Sequence, residues 1–236
     1  MEIEKLQNLI NNSNNIVFFG GAGVSTESGI KDFRGKDGLY KNSNIISPEY
    51  MLSNRCLYNE PELFFDYYRN NMNSLDILPN VTHKYLVELE DMGKLKAIVT
   101  QNIDGLHQKA GSKKVLEIHG TTNENYCINC NKKYPADYIF KSSGIPKCEC
   151  GGIVRPNVVL YGEMLPPSYE EAMYYIENSN LLIVAGTSLT VEPASSLVRL
   201  FKGKHLVIIN NDKTPYDNIA ELVINKPLGE VFSKLK

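Results

Sequence analysis

Ile16-Val17-Phe18-Phe19-Gly20-Gly21-Ala22-Gly23 is an uninterrupted apolar run closed by glycines. A strand with one wet face alternates apolar and polar side chains, whereas a strand covered on both faces is apolar throughout. This run is of the second kind. Comparable runs follow at Ala97-Ile98-Val99, Val115-Leu116-Glu117-Ile118, Leu181-Leu182-Ile183-Val184-Ala185 and His205-Leu206-Val207-Ile208-Ile209, with a shorter one at Leu222-Val223-Ile224. Helical patterns alternate with them. Ile3, Leu6, Leu9 and Ile10 have the spacing of an amphipathic helix, and 62–72, 82–90, 168–176 and 194–201 read as further helices. Strand–helix alternation with apolar strands predicts an α/β fold, a parallel sheet with helices on both faces.

Two regions break that rhythm. Residues 34–77 lack strong strands, and 122–153 hold clustered cysteines among Gly and Pro punctuation. Both read as insertions that build a smaller module. The expected division is 1–33, 78–121 and 154–236 for the large domain, and 34–77 with 122–153 for the small one. No repeat or low-complexity segment is visible.

Composition sets outer bounds. The chain has 236 residues, 42% hydrophobic and 22% charged, which is ordinary globular usage and excludes disorder. The formal net charge of −2 argues against tight non-specific nucleic-acid binding. Met1-Glu2-Ile3-Glu4-Lys5 carries no signal-type apolar run, and no stretch reaches the roughly 18 apolar residues of a membrane span. A cytoplasmic monomer is the expectation.

The cysteines are the sharpest local signal. Cys127-Ile128-Asn129-Cys130 and Cys148-Glu149-Cys150 form two pairs, with Gly151-Gly152 directly after. In a reducing compartment such pairs point to metal instead of disulfides. The gap between them fits a zinc ribbon, although the second pair is C-x-C and not C-x-x-C. Four thiolates leave no open coordination position, so the zinc is expected to be structural. Cys56 stands apart and reads as a buried core thiol.

Chemistry is expected elsewhere, where strands end. The loop Gly20 to Thr26 follows a strand, a place where backbone can cradle a phosphate. It departs from G-x-G-x-x-G and by itself fits either a nucleotide site or a tight turn. Thr100-Gln101-Asn102-Ile103-Asp104-Gly105, His119-Gly120, Gly186-Thr187-Ser188 and Asn210-Asn211 also follow apolar runs. In open α/β sheets, ligands bind outside the carboxyl ends of strands. Their shared location therefore marks one site, with His119 as the candidate catalytic group.

Taken in order, Gly21-Ala22-Gly23-Val24-Ser25, Asp32-Phe33-Arg34-Gly35, Thr100-Gln101-Asn102-Ile103-Asp104, His119-Gly120, the four cysteines and Gly186-Thr187-Ser188 resemble the sirtuins, NAD-dependent protein lysine deacylases. The resemblance covers about residues 8–232. It implies a Rossmann-like domain and a smaller zinc-binding module, with NAD and an acetylated-lysine protein or peptide entering between them. Ala22, Thr26, Phe33, Arg34, Gln101, Asn102, Ile103, Asp104, Thr187, Ser188 and Asn210 would bind NAD, with a further contact near Leu228. Val158-Val159-Leu160-Tyr161-Gly162-Glu163 resembles the segment that pairs with substrate as an added strand. Val159, Leu160, Gly162 and Glu163 would bind from one side and Val191 from the other. Cys127, Cys130, Cys148 and Cys150 would hold Zn²⁺.

The resemblance also implies the reaction: acyl-lysine and NAD give lysine, nicotinamide and 2′-O-acyl-ADP-ribose, with His119 as general base. Lys31 and Gly20 depart from the family pattern, which has Pro and Thr at those places. Members that remove succinyl groups carry a Tyr and an Arg where Phe65 and Tyr68 fall here, so neutral acyl groups are expected to be preferred. The second reading is a mono-ADP-ribosyltransferase of the same fold.

Overall fold

The computed structural model describes residues 1–32, 38 and 47–236. Six strands form one parallel sheet: β1 (Ile16–Gly20), β2 (Leu95–Thr100), β3 (Val115–Glu117), β7 (Leu181–Ala185), β8 (His205–Ile209) and β9 (Leu222–Ile224). Their order is β3-β2-β1-β7-β8-β9. The order reverses between β1 and β7, the switch point at which doubly wound sheets open a crevice.

Every residue of β1 and β7 is buried. The pleat divides them between two cores. Ile16 and Phe18 join Leu6, Ile10, Leu86 and Leu89 on one side, from α1 (Glu2–Asn11) and α5 (Val81–Asp91). Val17 and Phe19 join Ala172, Ile176 and Leu197 on the other, chiefly from α8 (Ser168–Asn178). The parallel sheet with helices on both faces is thus the expected one, and the continuous apolar runs are its buried strands.

A second sheet has order β5-β4-β6, from β4 (Gly120–Cys127), β5 (Lys133–Pro135) and β6 (Val154–Val158), all antiparallel. Beside it stand α2 (Pro48–Met51), α3 (Asn54–Asn59), α4 (Pro61–Met72) and α7 (Ala136–Phe140). Their shared core includes Leu57, Phe64, Phe65, Tyr68, Ile139, Val154 and Cys56. Cys56 is fully buried, as expected for a core thiol.

The helix expected over 194–201 is a 3₁₀ segment, Ala194–Leu200. The Ser195 N–H bonds the Val191 carbonyl, but the Ser196 N–H and hydroxyl both donate to the Pro193 carbonyl, the hydroxyl at 2.6 Å. Such local bonding competes with the i to i−4 ladder and favours the tighter turn. The remaining helices are α6 (Leu106–Ala110) and α9 (Leu228–Phe232). No helix among the described residues is long and apolar enough to cross a membrane.

Candidate active site

Strand register brings the polar ends into one line. Gly20 pairs with Thr100 on one side and Ala185 on the other, Thr100 pairs with Glu117, and Ala185 pairs with Ile209. Gly21, Gln101, Gly186 and Asn210 follow four of these positions directly, and His119 lies two residues beyond Glu117.

The glycine loop closes against the loop after β7. Gly21 and Gly23 N–H groups donate to the Ala185 and Gly186 carbonyls, at 3.2 and 2.8 Å. A Cβ on Gly23 would lie 2.7 Å from Gly186 Cα, and one on Gly21 would lie 2.7 Å from Thr187 Cβ. Only glycine permits this approach. Ala22 opens a 3₁₀ turn and is half-buried, whereas Thr26 is exposed and donates to the Gly23 carbonyl at 3.0 Å. Phe33 and Arg34 lie outside the described residues.

Side chains then cross-link the strand ends. Gln101 Nε2 donates to Thr187 Oγ1 at 3.0 Å. Asn102 Nδ2 donates to Ser25 Oγ at 3.1 Å, and Ser25 Oγ donates to Asp104 Oδ2 at 2.7 Å. Burial pushes the Asp104 carboxyl above its usual range, against the Leu106 N–H and the Ser25 hydroxyl. Ile103 leans on the small core, and its carbonyl accepts from the Thr122 N–H at 2.8 Å. Ser188 and Asn210 bond locally, to Thr190 and to the Asp212 carbonyl. Leu228 is buried in the large core, and the adjacent Gly229 N–H donates to Glu27 of the glycine loop at 2.9 Å.

His119 Nδ1 lies 3.0 Å from the Gln101 carbonyl oxygen. A carbonyl only accepts, so Nδ1 carries the hydrogen and Nε2 keeps its lone pair in the neutral ring. Burial holds its pKa below the ordinary 6.5, with the Gln101 bond opposing. The ring is therefore neutral at pH 7, with one defined accepting nitrogen.

The expected substrate segment runs on from β6. Val159 N–H donates to the His119 carbonyl at 2.8 Å, which joins this segment to the histidine's own backbone. Leu160 is buried in the small core, Gly162 is exposed with φ 91°, and Glu163 faces Arg155. Val191 is half-buried, and its carbonyl accepts the Ser195 N–H at 2.8 Å.

The four cysteine sulfurs converge at the far end of the small sheet, all within 4.8 Å of one another. Cys127 and Cys150 are 3.4 Å apart, and Cys130 and Cys148 are 3.6 Å apart. A disulfide needs about 2.05 Å. Tetrahedral zinc bonds of about 2.3 Å place sulfurs ~3.8 Å apart, so the cluster fits one Zn²⁺. The Tyr134 hydroxyl donates to Cys148 Sγ at 3.0 Å and is foremost in lowering that thiol to about 6.

Three participants escaped the sequence reading. Ser25 lay within the glycine motif, whereas Glu27 and Arg155 belonged to no motif. A single arginine between Ile153-Val154 and Val158-Val159-Leu160 was the available signal for Arg155.

The sheet edge offers glycine backbone, small hydroxyls and neutral amides, a donor set suited to the phosphates, riboses and carboxamide of a dinucleotide. Together with the thiolate cluster it defines an α/β nucleotide-site protein carrying a structural metal module. Residues 21–193 match the family model described as the Sir2 family. The chain belongs to that family. An NAD-dependent protein deacetylase of Clostridium tetani is 52% identical over 234 residues, covering 97% of this chain and 95% of the relative. One of Clostridium acetobutylicum is also 52% identical, covering 98% and 96%. Among solved structures, Sir2 with a p53 peptide and NAD⁺ matches with TM-score 0.87 at 40% identity, covering 99% of this chain and 97% of the other. Sir2Tm bound to a propionylated peptide matches with TM-score 0.87 at 38% identity, covering 99% and 97%.

Proposed function

We propose that this protein is an NAD-dependent protein lysine deacetylase in which His119 is the general base. The observation that carries the assignment of the base is the Nδ1 hydrogen bond to Gln101, because it leaves Nε2 as the acceptor of a neutral imidazole. NAD, when bound, supplies the ribose that receives the acyl group and the nicotinamide that leaves. Nε2 of His119 takes the proton from a ribose hydroxyl. Ala22, Thr26, Gln101, Asn102, Ile103, Asp104, Thr187, Ser188 and Asn210 would hold the dinucleotide along the strand ends, and Phe33 and Arg34, outside the described residues, would also bind it. Asp104 and Asn102 are braced by Ser25, so a carboxamide meets fixed partners. The large domain, taken as 1–33, 78–121 and 154–236, carries this site, with β6 (Val154–Val158) crossing that boundary into the small sheet. The small one, 34–77 and 122–153, is built on zinc.

The acyl-lysine peptide pairs along Val159, Leu160, Gly162 and Glu163, and on its other side along Val191. Backbone pairing supplies affinity without a strict side-chain code. The acyl group is neutral. On α4, Phe65 and Tyr68 are fully buried aromatics, and the helix's one cation, Arg69, is engaged by Asp66 and the Gly144 carbonyl. An acidic acyl group would meet no free cation on that helix.

The test is one assay with labelled NAD and acetyl-lysine or succinyl-lysine peptide. Acetyl turnover requires NAD, exceeds succinyl turnover and releases label as O-acyl-ADP-ribose. His119→Ala lowers it by about 10²–10⁴-fold while zinc content and melting stay as in wild type. Label retained on protein would replace this reading with a mono-ADP-ribosyltransferase.

A further inference from the structure

Arg155, the second residue of β6, is a cation almost wholly removed from water, 5% exposed. A charge there is tolerated only when its partners are complete. Its two terminal nitrogens reach the two oxygens of Glu163, at 2.5 and 3.0 Å. One of them also donates to the Val158 carbonyl at 2.9 Å, and Nε donates to the Pro156 carbonyl at 3.2 Å. The guanidinium lies over the Tyr126 ring, 5.6 Å from its centre.

Glu163 closes the circle. Its Oε2 accepts the Leu160 N–H at 2.9 Å, and its own N–H donates to the Leu160 carbonyl at 3.0 Å. Burial works to raise its pKa, but Arg155 and the Leu160 N–H overcome that and hold it below the usual range. The turn 158–163 is therefore fastened at one end to the His119 backbone through Val159, and at the other to one guanidinium. That guanidinium rests on Tyr126, the neighbour of zinc ligand Cys127 on β4.

We propose that Arg155 is a positioning residue for substrate: it holds 158–163 in the shape that receives the peptide, and Glu163 acts as its acceptor instead of a free carboxylate for the peptide. This rests on reading 158–163 as the peptide-pairing edge. One consequence concerns specificity. With both Glu163 oxygens taken, that side chain exerts little selection for basic residues beside the acyl-lysine.

Arg155→Lys keeps the charge and loses the planar fork. Glu163→Gln keeps the shape and loses the charge, and is the milder variant should the first fail to fold. Each raises KM for acetyl-lysine peptide about tenfold, leaves KM for NAD within about twofold, and the double variant is no worse than either single one. Hydrogen exchange at the Leu160 amide quickens while that of β1 and β7 does not. Unchanged peptide KM with an unchanged Leu160 amide overturns the inference, as does a parallel loss for both substrates with general loss of exchange protection. A wild-type protein without NAD-dependent deacetylation overturns the functional reading instead. In that case the Leu160 amide alone decides whether Arg155 positions the turn.

Discussion

Strands β1 and β7 sit between two apolar layers with every residue buried, whereas β4 buries only four of its eight residues and β5 none of its three. The polar work of the large sheet lies at its rim, on loops whose supporting strands need nothing from them. In the small module two of the four clustered cysteines are part of the core: Cys127 and Cys148 are buried among Phe64, Phe65, Ile139 and Val154, while Cys130 and Cys150 are exposed. Removing a rim residue should cost function and leave the fold. Removing a cysteine should cost the fold locally.

Metal removal is the strongest way to break that contrast. Structural zinc contributes apparent binding energies of about 10–16 kcal/mol in small zinc peptides, and that energy is folding energy. Chelation, or Cys148→Ala, is expected to strip exchange protection from β4, β5 and β6 while β1 and β7 stay protected. Hydrogen exchange by mass spectrometry separates the two sheets. Equal loss in both would mean that the large core does not stand by itself.

The small module's metal was legible because its four ligands lie in two short pairs. The large sheet was legible for a similar reason, since each buried strand announces itself in consecutive residues. Contacts between distant segments were not. Ser25 and Asp104 meet only because β1 and β2 are neighbours in register, and nothing local to either residue encodes that. Arg155 and Glu163 are close in sequence, yet their pairing depends on the turn at Gly162. The segment 194–200 has apolar spacing suited to a helix, and the periodicity does not report the hydroxyl of Ser196. The line of strand ends was foreseen because parallel strands all finish at the same edge, a consequence of topology more than of any one motif.

Acid sharpens the contrast from the side of the large sheet. His83 and His107 are buried with ring centres 4.7 Å apart, and His107 packs edge-on against Phe18 of β1. Burial lowers His83 to about 4, and burial together with His83 holds His107 well below 6.5. Both pKa values are depressed on folding, so the unfolded chain binds more protons as pH falls. Stability is full above about 6.5 and declines from there toward 4, by ~3 kcal/mol for His83 alone. His83→Gln should flatten that decline in thermal melts monitored at β1 and β2 amides. An unchanged slope would leave His107, whose own burial lowers it, as the source of the acid sensitivity.

The smallest effect has the opposite sign. Glu117 ends β3, where burial pushes its carboxyl up to about 7 against hydrogen bonds from Thr121 and Gln108, and its Oε1 has no partner. Here the folded state binds the extra proton. Stability therefore falls as pH rises from about 4.5 to 7, because ionisation puts a charge where solvation is poor. Partial exposure reduces the effect to about 1–2 kcal/mol. Glu117→Gln is neutral at every pH and keeps the two hydrogen-bonding neighbours in reach, so it should melt about 2–4 °C above wild type at pH 8. The gap should close below about pH 4.5, where the carboxyl is protonated in the native and the unfolded chain alike. A gap that persisted at low pH would trace to packing and not to charge. A gap that closed would set Glu117 on the large sheet against the histidines of the helices α5 and α6, two opposing pH slopes within the large domain.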